Sequence, residues 1–431
     1  MPIDAPVIAG LATEIAGWLP VKIDKIHQPY PDEFLFSCFG GGESFKLLFS
    51  LNAKYGRFQL SQGNKNNPLT PSSFCMLLRK HFGGAKLIAV KAVPFERIAH
   101  FTFEGYDPLT GLTQKNIWLE LTGKSANLII TNATGEIIDT WRKIHPRPGE
   151  RDLNNGLPYQ FPSTGGRWMP PTIDSEHFTA LLSSLPENVT LERFFPAHWY
   201  GLSGPAVREI IKRGGLQPEH PCRQLTSVAT QNLYEAFAQW SQAVAQGALQ
   251  PTGLYDQQGN LIDFTAFPIN FPLSNTVVKP IASLNETIAA LVETHHETAR
   301  FQEAQQNLLR KIKLHTEKNR KKLGKQEEEA AQAEKGDEWR ICGELLTGCG
   351  QQIAKGRLEC SVANYYDPEN REIVIKLNPA LTVQENAQRY FKKYQKAKKG
   401  QQAIAAQIVK TTETVDYLES LEAMTGSALN L

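Results

Sequence analysis

Over the first third of the chain, apolar residues alternate with polar ones or gather in short runs between turn residues. The runs are Val21–Ile26, Phe34–Phe39, Phe45–Ser50, Arg57–Leu60, Leu87–Val93, Ile98–Phe103, Ile117–Leu121, Leu128–Thr131 and Ile137–Trp141. A two-residue period rich in β-branched and aromatic side chains predicts strands. Gly40-Gly41-Gly42 and Asp107-Pro108 supply turns between them. Regular short spacing of this kind predicts antiparallel sheets packed face to face. Two helices interrupt the strands, near Val7–Leu19 and Ser72–His81, the second opened by Pro71 and Ser72.

Residues 145–175 are rich in Pro, Gly and Arg and read as a linker wrapping over a surface. Residues 176–250 then read as helical. Within them Leu191–Trp199 is followed by a tight turn and by Ser203-Gly204-Pro205-Ala206. Ser203 is a good N-cap, and Pro205 falls in the first turn, where a missing N–H costs nothing. Gly214-Gly215 ends that helix. Two short helices joined by a glycine turn form a helix–two-turn–helix unit, and residues 252–271 read as a small β excursion.

From Leu284 the period lengthens. Apolar or uncharged residues fall at 284, 288, 291, 295 and 298, then at 301, 305, 308, 312 and 315, a heptad seam with one phase slip. A second long helix spans about Val383–Met424, its later seam being Ile408, Thr411, Val415 and Leu418. Between them lie a short helix (Glu338–Lys355) and a hairpin, Ser361–Tyr366 and Glu372–Leu377, turned by Asp367–Asn370. The expected fold is therefore α+β and multidomain. It comprises a β-rich N-domain (1–172), a helix–two-turn–helix domain (173–280), and a long antiparallel coiled coil (281–431) with a small α/β tip at about 336–381.

Composition narrows the function classes. With 431 residues, 41% hydrophobic and 21% charged, the chain has the balance of a folded protein of several domains. A net charge of +2 leaves any polyanion attraction to local clusters. The six cysteines are scattered, without CxxC pairs, and read as reduced, buried small hydrophobes. MPIDAPVIAG lacks the basic and long apolar regions of a signal peptide. No run approaches ~18 apolar residues, so a membrane span is not expected and the cytoplasm is the expected location.

Cationic side chains cluster at Arg79-Lys80-His81, at Lys318, Arg320, Lys321, Lys322 and Lys325, and in RYFKKYQKAKK (389–399). That last run interleaves Tyr390, Phe391 and Tyr394 with lysines, a composition suited to phosphates and to base stacking. No GxxxxGK[ST], HExxH or GxSxG motif occurs. His295 and His296 are adjacent on one helix and point apart, so they cannot share a metal. Pro2 invites comparison with glycosylases that attack through an N-terminal proline, but Ile3 stands where those enzymes need glutamate. The chain is expected to be no enzyme, with no cofactor and no metal.

Several strings together resemble the NFACT family, of the RqcH and fibronectin-binding-protein type. They are FCMLLRKHFGG (74–84), LTGKSANLII (121–130), GLSGPAVREI (201–210), GELLTG (343–348), NYYDPENR (364–371) and ENAQRYFKKYQKAK (385–398). They occur in order over nearly the whole chain. The resemblance implies a glycosylase-like N-domain without that chemistry. It also implies a ribosome quality-control role: binding large (50S) ribosomal subunits that carry stalled peptidyl-tRNA, and recruiting alanyl-tRNA for template-free alanine tailing. The family's Asp-Arg pair, tied to tRNA engagement, matches Glu96 and Arg97 here, with an acid one methylene longer. The motif positions Arg79, Lys80, Lys124, Ser125 and Asn127 join them as expected tRNA contacts. Arg389, Lys392, Lys393, Lys396 and Lys398 are the expected ribosome and RNA contacts. The older family name implies fibronectin as an alternative partner, which the unpaired cysteines and the lack of a signal peptide oppose. Full-length relatives continue into an R domain, so the sequence is expected to be a truncated form.

Overall fold

A computed structural model describes residues 3–428, apart from 62, 64, 108–110, 145, 147–149, 271–274, 335 and 351–352. Pro2 and Pro108 lie outside the described residues. The chain divides into two compact units, Met1–His296 and Glu297–Leu431.

The first unit opens with α1 (Ala5–Ala16), whose N-cap Asp4 accepts from the Val7 amide at 3.1 Å. Nine strands follow, at every position the alternation predicts. The first four are β1 (Val21–Tyr30), β2 (Glu33–Gly40), β3 (Glu43–Ser50) and β4 (Arg57–Ser61). After α2 (Ser73–Phe82) come β5 (Lys86–Ala92), β6 (Ile98–Asp107), β7 (Gly111–Glu120), β8 (Asn127–Asn132) and β9 (Ile137–Thr140). They form one antiparallel sheet of order β4-β3-β2-β1-β5-β6-β7-β8-β9, not two separate sheets. The joint is short: β1 pairs with β5 at Val21↔Leu87 and Lys22↔Lys86, and Ile23 carries the ladder on to Ala85 and Gly84 just before β5. The two leaves can therefore fold toward each other about it. Phe49 and Phe58 on one leaf meet Phe101 on the other, with ring centroids 4.9 and 5.3 Å apart. The face-to-face core is real, but a single bent sheet supplies it. α1 fills the remaining space with Val7, Ile8, Leu11 and Ile15.

The helical part has its own core. Its helices are α3 (Ser175–Ser184), α4 (Leu191–His198), α5 (Gly204–Arg213) and α6 (Ser227–Ala245). They bury Phe178, Phe194, Phe195, Trp199, Ile210, Phe237 and Trp240 together with Phe95, which reaches in from the β5–β6 turn. Ser203 caps α5 by accepting from the Ala206 amide, and the α5 chain ends at Gly214, as expected. The β excursion is larger than its alternation suggests. β10 (Thr252–Tyr255) pairs with β11 (Leu261–Thr265) and also with β12 (Val277–Pro280), a fully exposed strand with no alternation to mark it.

The helix that leads out of this unit begins at α7 (Leu284–Ile288), passes through a π turn at Ala289–Glu293 and continues as α8 (Thr294–Glu334). Its root is fastened by polar groups. Glu14 accepts from the amides of Leu284 and Asn285, and the Asn285 side chain bonds the backbone of Leu60 on edge strand β4. The π turn adds one residue to a helical turn and shifts the seam phase. His296, not His295, is consequently buried.

In the second unit the seam of α8 runs through 305, 309, 312, 316, 319, 323 and 326. Leu308 is half-exposed and His315 exposed, so the expected 308 and 315 each move one residue along, to Leu309 and Thr316. Adjacent leucines at 308 and 309 hid that choice from the pattern. α9 (Gly336–Gly348), β13 (Glu359–Ala363), β14 (Glu372–Lys376) and α10 (Val383–Ser427) complete the chain. α9 stops well short of Lys355, at Gly348, and residues 351–352 lie outside the described residues. Leu345, Leu346, Cys360, Val362, Ile375, Val383 and Ala387 form a small core there. α8 and α10 run antiparallel. Gln305 bonds the Thr425 carbonyl at 2.8 Å, Arg320 pairs with Glu419 at 2.6 Å, and Gln326 bonds Gln407 at 3.2 Å. All six cysteines are free thiols. Among the described residues no helix is long and apolar enough to cross a membrane.

Candidate nucleic-acid interface

A cavity of about 640 Å³ in the first unit opens where α1, the β5–β6 turn, the start of α5 and the segment Pro162–Arg167 converge. Glu96 and Arg97 both line it. Their placement follows from local backbone geometry. Phe95 adopts φ +57°, a left-handed conformation that costs a bulky residue about 1–2 kcal/mol. Burial of its ring in the helical core offsets that cost. The turn closes through Glu96 N to Val93 O at 3.1 Å and Val93 N to Ile98 O at 2.9 Å, and it turns the next two side chains into the cavity. Both are half-buried, and neither makes a side-chain hydrogen bond or ion pair among the described residues.

Asp4, Arg167, Tyr200 and Asp263 line the same cavity, and sequence reasoning missed all four as site residues. Asp4 carries a legible signal only as a helix cap; Arg167 lies in a segment with no periodicity. Burial raises the Asp4 carboxyl above its ordinary value, against hydrogen bonds from Ser203 Oγ at 2.7 Å and Val7 N and the field of Arg97. Burial likewise raises Glu96, opposed by Arg167, and Asp263, opposed by the Phe264 amide. The cavity thus holds three carboxyls and two guanidiniums. Carboxylates accept N–H bonds and repel phosphate, so the interior suits the donor-bearing edge of a nucleobase. Exposed Arg167, whose Nε donates to the Thr164 carbonyl at 2.9 Å, suits a phosphate at the mouth.

The other expected tRNA contacts lie outside this cavity. Arg79 is half-buried and donates from Nε to the Ile26 carbonyl at 2.7 Å, while Lys80 beside it is exposed. Lys124 and Ser125 are exposed on a 3-10 turn after β7. Asn127 is fully buried. Its oxygen accepts from the amides of Leu128 and Arg142, and its amide donates to the Arg142 carbonyl. Every polar atom of that side chain is occupied by backbone, which leaves it nothing to offer RNA.

On α10, Arg389, Lys392, Lys393 and Lys396 are exposed and share one face, being spaced three, four and seven residues apart. Lys398 stands about 180° from Arg389 at 100° per residue, on a different face, with its ammonium 5.9 Å from the Tyr394 ring. The interleaved aromatics turn inward. Tyr390 and Phe391 pack on the small core, and Tyr390 donates to the Lys376 carbonyl at 2.7 Å. Gly343 leaves room for the Phe391 ring. The small core thus covers part of the Tyr390 and Phe391 rings, and all three rings are half-buried.

The NFACT N-terminal and middle domains match residues 4–430. The chain belongs to the NFACT family. The curated relatives of this NFACT protein include Rqc2 homolog RqcH of Streptococcus suis, 30% identical over 412 residues, covering 94% of this chain and 68% of the relative. Rqc2 homolog RqcH of Bacillus subtilis is 29% identical over 413 residues, covering 94% and 69%. Among solved structures, the N-terminal part of the fibronectin/fibrinogen-binding protein of Streptococcus suis superposes with a TM-score of 0.50 at 23% identity, covering 68% of this chain and 99% of that one. The fibrinogen binding protein of Staphylococcus aureus gives 0.52 at 23%, covering 67% and 98%. At that identity the likeness is one of fold.

Proposed function

We propose that this NFACT protein is a ribosome quality-control factor of the RqcH type, acting in the cytoplasm. It binds large ribosomal subunits obstructed by peptidyl-tRNA and recruits alanyl-tRNA for C-terminal alanine tailing of the stalled chain. It does so by positioning, without bond-making chemistry of its own. The observation that carries this reading is the pair Glu96–Arg97, which lines a cavity of nucleotide dimensions with both side chains uncommitted. The kinship with proteins named RqcH supports it. In this reading Arg97 and Glu96 engage tRNA, and the cationic face of α10 engages ribosomal RNA. The test is capture of the protein from lysate with sequencing of bound RNA, together with co-sedimentation with 50S particles across a salt series. Enrichment of a single tRNA and salt-sensitive pelleting are expected; neither occurring defeats the reading.

A second reading, binding of fibronectin at the cell surface, is favoured only by the names of the fold relatives. Surface biotinylation of intact cells distinguishes the two: a labelled protein supports the adhesin.

A further inference from the structure

Three of the six cysteines fall between 342 and 360, and the fold gathers them in one small core. Cys342, Leu345, Leu346 and Cys349 follow at i, i+3, i+4 and i+7, the stripe by which a helix faces its core. Cys349 lies one residue past the end of α9. Its amide still donates to the Leu345 carbonyl at 3.1 Å, so it keeps the helical path. On β13 the buried residues are Cys360 and Val362, which meet the same core from the sheet side. Cys342 and Cys349 are half-buried at its edge.

The helix cysteines cannot bridge each other. Seven residues of helix set them about 10 Å apart, beyond the ~7 Å that a disulfide spans between Cα atoms. Cys360 is the partner left to either. Two features single out Cys349. Burial raises the Cys342 thiol and the charge of Glu338 raises it further, so Cys342 forms thiolate poorly. At Cys360, which burial also holds up, the charge of Cys349 acts more strongly than that of Cys342.

We infer that Cys349 is an oxidation site and that Cys360 resolves it, forming a reversible disulfide between the end of α9 and β13. The oxidant is a hydroperoxide. The Cys349 thiolate attacks one peroxide oxygen and the O–O bond breaks. Hydroxide leaves and takes up a proton as water, and Cys349 carries a sulfenic acid. The Cys360 sulfur then attacks the Cys349 sulfur, the S–O bond breaks, and the hydroxyl leaves as water with the Cys360 proton. Two thiols are oxidised and hydrogen peroxide is reduced to two waters. Transient, sensing disulfides of this kind are the ones a reducing compartment permits. Cys38, Cys75 and Cys222 are buried in the cores of the first unit, out of a peroxide's reach.

The test treats the full chain with a small excess of hydrogen peroxide, blocks the remaining thiols with an alkylating agent and maps peptides without reductant. Trypsin, cutting at Arg340, Lys355, Arg357 and Arg371, leaves Cys342 and Cys349 in peptide 341–355 and Cys360 in peptide 358–371. The two are expected joined, lighter by two hydrogens than their sum, and parted again by dithiothreitol. A second digestion with a glutamate-specific protease cuts after Glu344 and separates Cys342 from Cys349, so the bonded cysteine is located in the wild type. The bond should lie on Cys349. It should persist in Cys342→Ser and fall at least tenfold in Cys349→Ser. No joined peptide, a sulfinic acid on Cys349 as the sole product, a bond through Cys342 in the wild type, or a disulfide-linked dimer on non-reducing electrophoresis overturns the inference.

Discussion

The carbonyl oxygen of Phe95 occupies the space that a β-carbon on Gly201 would need. Gly201 sits at φ +76° and Phe95 at φ +57°, so two left-handed residues, one on the β5–β6 turn and one between α4 and α5, lock against each other. This contact joins the sheet to the helical core and fixes one wall of the cavity into which Glu96 and Arg97 open.

Gly201→Ala should therefore be far more damaging than a glycine change governed by backbone angle alone. Gly215 also has a positive φ, +75°, but nothing within 4 Å of an added β-carbon. Gly215→Ala should cost about 1 kcal/mol, and Gly201→Ala about 3 kcal/mol or more, since overpacking adds to strain. Urea denaturation of both variants checks the ranking; equal losses would remove the role given to the Phe95 contact.

Arg97→Ala should leave stability within about 0.5 kcal/mol, because its guanidinium makes no internal bond among the described residues. It should weaken tRNA association at least tenfold while leaving 50S pelleting nearly intact, and neutralising Lys392, Lys393 and Lys396 should do the reverse. Parallel filter binding and sedimentation measure both. Glu96→Asp, which restores the family's residue, should retain tRNA association.

The cavity carboxyls give a pH signature of definite sign. Asp4 and Asp263 lie above their ordinary 3.8 and Glu96 above its ordinary 4.5, in each case chiefly through burial. The folded state therefore holds protons that the unfolded chain has released. These groups favour the fold most below those ordinary values, and their contribution falls as pH rises toward the raised ones. A base edge that donates hydrogen bonds to them pulls the pKa values down, so binding releases protons and tightens as pH rises through the same window. A phosphate seated there would do the opposite. Calorimetry of tRNA binding near pH 5, in two buffers of different ionisation enthalpy, reads the direction.

A buried charge cluster holds the root of the long helix. Arg57, fully buried on β4, donates to Gln59 at 2.9 Å, to the Tyr55 carbonyl at 3.1 Å and to His296 Nδ1 at 2.9 Å. The same His296 nitrogen lies 3.4 Å from the buried Glu33 carboxylate. Lys65 bridges Glu33 and Glu293 at 3.2 Å each. Glu33→Gln or Arg57→Met leaves opposite charges uncompensated in the interior and should cost about 3–5 kcal/mol. Amide hydrogen exchange across 284–296 should accelerate before the rest of the unit does; uniform acceleration would show that the cluster is not local to the root.

Much of the fold was legible because strands and caps are local. All nine strands, the Ser72 and Ser203 caps and the Gly214 stop follow from residues within a few positions of one another. The short β1–β5 joint that bends the sheet was not legible, since pairing between strands some sixty residues apart carries no local period. Exposed β12 escaped for the related reason that it buries no face. The α8 seam was read one residue out at two positions, because a π turn shifts phase without marking composition and Leu308-Leu309 fits either phase.

For the functional residues the division is similar. Sequence by itself determined the family, the Glu96–Arg97 pair and the density of lysines on α10, because side-chain type and order survive without coordinates. Only the tertiary structure decided that Asp4, Arg167 and Asp263 share a cavity with that pair, and that Asn127, Tyr390 and Phe391 pack against protein. Those outcomes depend on which surfaces are buried together, and burial belongs to the whole packed chain.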